Sequence, residues 1–154
     1  MSVIVLAFLI GTVAGLRAMT APAAASWAAR LGYLPLQGTS LAFLGDAATP
    51  YIFTLLAIGE LINDKLPKTP SRKVPPQFIF RVISGAFSGA AIGAARQALV
   101  LGLATGAVGA VAGTLGGAAV RTKLAEIFGK DLPAALLEDA VTIILAIVVV
   151  TRLG

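Results

Sequence analysis

The groups with which this chain could do chemistry are six ionisable residues set in or beside apolar runs. Glu60 and Asp64 are four apart and share a helix face; Glu138 and Asp139 are adjacent; Arg17 and Arg81 are isolated cations. Carboxylates so close together disfavour each other's charge. They call for a nearby Arg or Lys, a bound cation or a shared proton. Three chemistries fit. The set can line the path of a small ion or anionic solute, with Arg17 beside a helix break offering the anion site. It can be a salt-bridge network tying helices together. It can gather carboxylate oxygens on a metal for phosphoryl chemistry on a lipid. The sequence does not show whether the acids converge, so a metal stays open.

The chain contains no Cys and no His. That excludes disulfides, thiolate catalysis, His-based triads and zinc sites built on either residue. Ser26, Ser71 and Ser84 have no general base at a recognisable spacing, which argues against serine hydrolysis. No cofactor is expected.

These residues must be positioned by elements that live in lipid. The 154 residues are 58% apolar and 12% charged, with a mean hydropathy of +0.94. A soluble domain carries about 25% charged residues. Nineteen charges could not cover a soluble surface of this size. The composition predicts an all-α, polytopic membrane helix bundle, one transmembrane domain over 1–154. The net charge of +5 does not point to nucleic acid, because the basic residues lie between apolar runs. The first segment is expected to be retained, since no Lys or Arg precedes its apolar run.

The pattern predicts about five spans, over 2–18, 47–66, 78–95, 99–120 and 133–151. Pro22 breaks the first segment, giving a half-helix over 22–30 that is broken or re-entrant. Loops are expected over 31–46, in the proline-rich stretch 65–76 and over 124–132. Orientation follows from charge. Lys65, Lys68, Arg72, Lys73, Arg81, Arg121, Lys123 and Lys130 fall on one side, against Arg30, Arg96 and Arg152 on the other. The positive-inside rule then puts the amino terminus and the basic connectors in the cytoplasm of a bacterial inner-membrane protein, with the carboxyl terminus outside. In that topology Glu60, Asp64, Glu138, Asp139 and Arg81 share the inner half. Arg81 is their expected counter-charge, and Arg17 stands apart toward the outer half.

Gly85, Gly89 and Gly93 recur every four residues in the third span, and Gly109, Gly113 and Gly117 do so in the fourth, preceded by Gly102 and Gly106. Lipid supplies no hydrophobic drive between helices, so close backbone approach through small residues provides much of the packing. A glycine-zipper hairpin between these two spans is expected.

Several stretches resemble one bacterial family of small integral membrane proteins. They are Gly15-Leu16-Arg17-Ala18-Met19-Thr20-Ala21-Pro22, the run from Gly59-Glu60 through Asp64-Lys65 to Ser71-Arg72, Arg81 with Ser84-Gly85, and Leu137-Glu138-Asp139. The family is catalogued as domain of unknown function 4126. The resemblance implies a membrane protein and the same choice of residues, and it implies no activity. The leading expectation is a small transporter or channel-like protein. A structural or accessory membrane protein and a lipid-phosphate enzyme are the alternatives. The expected partners are the bilayer, a small ion or anionic solute, and a second copy of the chain, because five spans make a thin bundle.

Overall fold

A serine, several prolines and a few glycines set the ends of the helices. In the computed structural model, residues 2–63 and 75–153 are described. Among them the regular elements are all helical: α1 Val3–Leu16, α2 Thr20–Arg30, a 3-10 turn Ala42–Gly45, α3 Thr49–Asn63, α4 Pro75–Ala95, α5 Leu99–Phe128 and α6 Asp131–Leu153. Ser2 caps α1, accepting a hydrogen bond from Val5 N at 3.3 Å. Arg17 ends it in extended backbone. Pro22, Pro50, Pro75, Pro76 and Pro133 lie in helical first turns, where a missing N–H costs no intrahelical bond.

Among the described residues three helices, α4, α5 and α6, are long and apolar enough to cross a membrane. By the same measure α1, at 14 residues, is a shorter apolar helix. α5 differs from expectation. The pattern predicts a span over 99–120 and a connector over 124–132, yet the helix continues to Phe128 because no breaker intervenes between Ala118 and Gly129. Gly129 ends it in the left-handed region at φ 73°, which suits a residue without Cβ. The 31–46 segment is also more than an exposed loop, since Leu34, Leu36 and Leu44 are buried in the core.

Small residues give the helix directions. Gly85 lies against Gly106 and Gly93 against Ala98, so α4 runs antiparallel to α5. Gly11 lies against Gly106 and Gly15 against Ala110 and Gly113, so α1 runs parallel to α5. α3 is antiparallel to α2: Trp27 Nε1 donates to Thr54 Oγ1 at 2.8 Å, while Glu60 reaches the beginning of α2. Successive helices therefore alternate in direction. One end of the bundle carries the α5–α6 hairpin and the described ends of α3 and α4. The other carries Ser2, residues 31–48, the 96–98 turn and Leu153. Ser2 and Leu153 lie at one end of the bundle because α2 runs back along the direction that α1 advanced.

The glycine face of α5 is shared between two helices. Gly85, Gly89 and Gly93 meet Gly106, Gly102 and Ala98, not Gly109, Gly113 and Gly117. Gly109 and Gly113 instead face Phe8 and Thr12 of α1, and Gly117 is half-buried further along. The glycines of α5 form one continuous face, with α4 on its earlier stretch and α1 on its later one. Spacing reveals the face but not which helix takes each half of it.

Candidate functional site

The polar centre is built on the break between α1 and α2. Helix α1 ends with carbonyls that have no intrahelical partner and carry the negative end of its dipole. Two guanidinium groups meet them. Arg81 Nη1 donates to Gly15 O and Leu16 O, both at 2.9 Å, and Arg17 Nη1 donates to Leu16 O at 2.8 Å. Helix α2 opens with the converse need, N–H groups at a positive dipole end. Met19 at its cap position supplies no side-chain bond. Glu60 of α3 supplies the cap instead: its two carboxylate oxygens accept from Ala18 N and Met19 N, both at 3.0 Å. Cations thus lie at the end of α1 and an anion at the start of α2, the arrangement each dipole favours.

Arg17 is the hub. It is 0% exposed. Its Nε donates to Asp139 Oδ1 at 2.8 Å, and Nη1 also pairs with Glu138 Oε1. The two acids, likewise buried, sit in an early turn of α6, where Thr142 Oγ1 donates to Glu138 O at 2.7 Å. Arg121, on the unexpected continuation of α5, brings Nη1 to 3.7 Å from Glu138 Oε1 and holds Asp131 by bonds of 2.7 and 3.1 Å. Ser84 Oγ donates to Ala18 O, tying α4 to the break. Thr114 Oγ1 donates to Gly15 O at 3.4 Å. Among the described residues, Arg17, Arg81 and Arg121 meet Glu60, Glu138 and Asp139 at the break, and Arg121 also holds the exposed Asp131.

Compared with known protein families, curated proteins and solved structures, the chain has no match. The family resemblance therefore rests on the quoted residues alone.

Five of the six singled-out ionisable residues come together here. Asp64 lies outside the described residues. The pairing differs from expectation: Arg17 does not stand apart but bonds both acids of α6, while Arg81 bonds the carbonyls of α1. The expectation placed Arg17 at the far end of a full span. In the fold α1 stops short of the bundle end, level with Glu60 in the last turn of α3 and with Glu138 and Asp139 about two turns into α6. The charge pattern marks Arg121 only as a connector charge. Its signal was the lack of any Gly or Pro between Ala118 and Phe128, which lets α5 carry it inward. Among the described residues no group of three Asp or Glu converges as metal ligands would.

Proposed function

We propose that this chain is a small multi-pass protein of the bacterial cytoplasmic membrane, transporter- or channel-like, with the Arg17 knot as its polar intramembrane site. One observation carries the reading. A fully buried guanidinium lies at a helix break, held by two carboxylates from another helix, while a third carboxylate caps the broken backbone. Discontinuous helices whose ends point into a polar centre are a device of transporters, and buried intramembrane charge marks ion and substrate paths. Ser88 adds support. It lies one turn along α4 from Ser84, fully buried, and its hydroxyl has no hydrogen-bond partner among the described residues. It extends polar surface from the knot toward the bundle centre.

In the bilayer this reading makes α1 and α2 a re-entrant hairpin and α3 to α6 four crossings, in place of five spans. Glycine-zipper contacts among α1, α4 and α5 hold the bundle. The eight-to-three charge bias still puts the α5–α6 hairpin in the cytoplasm, and both termini then lie outside. Cysteines at Ser2 and Ser40 should react with impermeant reagents from outside, and one at Lys130 from the cytoplasm. Labelling of Ser2 and Ser40 from opposite sides would overturn this topology. The functional test is flux of inorganic ions and small organic anions in liposomes. Flux that falls in Glu60→Gln while the protein stays folded supports the pathway.

A second reading, a structural or accessory membrane protein, is favoured by the mutual pairing of the charges in the knot. A stable stoichiometric partner together with no flux would select it.

A further inference from the structure

A groove of about 300 Å³ runs between α2 and α6 on the outside of the bundle. It starts near Thr20 and Ile143, close to the helix break, and runs toward Trp27, Val150 and Thr151. Small side chains of Ala23, Ala24 and Ala146 line it, flanked by Trp27 and Ile147. The Trp27 wall is fixed. Its ring meets Tyr51 edge-on with centroids 5.3 Å apart, and its Nε1 is bonded to Thr54. The lining covers about 11 Å of α2 from Thr20 to Trp27, and continued to Arg30 it reaches about 15 Å, close to the roughly 15 Å hydrocarbon depth of one leaflet. Tryptophan at the groove's far end belongs at a membrane interface.

Two cations stand at that end. The groove-facing row of α2 at Thr20, Ala23, Ala24 and Trp27 continues one turn later to Arg30. Arg152 follows the lining residue Thr151 in the last turn of α6. Both are exposed, and neither forms an ion pair or side-chain hydrogen bond among the described residues. Asp46, beside the Gly45 that packs on Ala29, forms no ion pair with Arg30. An apolar slot one leaflet deep, with unengaged guanidinium groups at its mouth, complements an anionic lipid.

We propose that this groove binds an anionic phospholipid, one acyl chain lying between α2 and α6 and the phosphate meeting Arg30 and Arg152. The inference rests on the bilayer placement but not on any transport activity.

Trp27 is the chain's one tryptophan, so its fluorescence reports on the groove. The protein is placed in phosphatidylcholine vesicles holding brominated-chain phosphatidylglycerol or, at equal mole fraction, brominated-chain phosphatidylcholine. The anionic lipid should quench Trp27 with an apparent affinity higher by roughly five-fold for each arginine. R30Q with R152Q should bring it down to the phosphatidylcholine level. A24L, or I147F should A24L not fold, should reduce quenching by both lipids by filling the slot. Equal quenching by the two lipids would overturn the proposal. So would a preference that survives R30Q with R152Q, which would leave the arginines only as partners of their own helix dipoles. Protection from both lipids, as a second copy seated in the groove would give, would overturn it as well.

Discussion

Two regions at successive depths of the same helices bury backbone by opposite means. In the seam among α1, α4 and α5, side chains are small or missing at the closest contacts. A Cβ on Gly89 would overlap Gly102 O, and one on Gly106 would overlap Gly85 O. One or two turns away, in the Arg17 knot, long charged side chains meet the chain ends that the seam cannot pair. Regular helix satisfies its own N–H and C=O groups, so two such helices need only approach closely. A broken helix leaves groups of both signs unpaired, and the fold must bring cations to one end and an anion to the other. The seam should therefore fail when volume is added and the knot when charge is removed.

The largest effect is expected in the knot. Arg17→Met should cost about 3–5 kcal/mol of unfolding free energy, because Glu138 and Asp139 are left buried without their shared guanidinium. Adding Glu138→Gln and Asp139→Asn should recover much of that loss. Denaturant unfolding in mixed micelles measures both. A triple variant no more stable than Arg17→Met would show that charge balance is not what the knot supplies.

In the seam, Gly89→Ala should cost about 1–3 kcal/mol, since the clash is with backbone that cannot turn aside. Gly59 and Gly116 lie in the same kind of apolar helix with nothing within 4 Å of an added Cβ. Their Ala variants should be neutral or gain up to about 1 kcal/mol from helix propensity. Equal losses at Gly89 and Gly116 would erase the distinction between seam and open face.

Glu60 tests the knot more finely. Glu60→Gln keeps a weaker, neutral acceptor for one of the two N–H groups and leaves the other facing an NH2 donor, so it should cost about 1–2 kcal/mol. Flux lost beyond that small change would separate a pathway role from a cap. The smallest effect is expected at the α4–α5 turn. There Gln97 holds φ 57°, and Ala98 N closes the turn on Gly93 O at 2.7 Å. Gln97→Gly should stabilise by about 0.5 kcal/mol, the relief of a left-handed side-chain conformation less the added freedom of the unfolded chain.

Much of this was legible in the residues, for identifiable reasons. Hydropathy and Pro22 marked the broken first segment because lipid length and proline sterics act locally. The four-residue glycine spacing marked close-packed faces because a helix turn puts such residues in one row. The isolated charges stood out because hydrocarbon does not tolerate them unpaired. The assignment of partners was not legible. Arg17 pairs with residues more than 120 positions away, and its distance from them depends on α2 turning back, which no local pattern encodes.

The sequence by itself determined that the chain is helical and apolar enough for a membrane, where its first helix breaks, which faces are smooth and which residues cannot stay uncompensated. These follow from propensity, period and solvation, which act over a few residues. Only the tertiary structure decided that α4 and α1 divide the glycine face of α5, that Glu60 caps a helix from another helix, and that Arg17 rather than Arg81 takes the acids of α6. Each of those outcomes is set by the relative depth and direction of whole helices, and depth is fixed by how all of them pack at once.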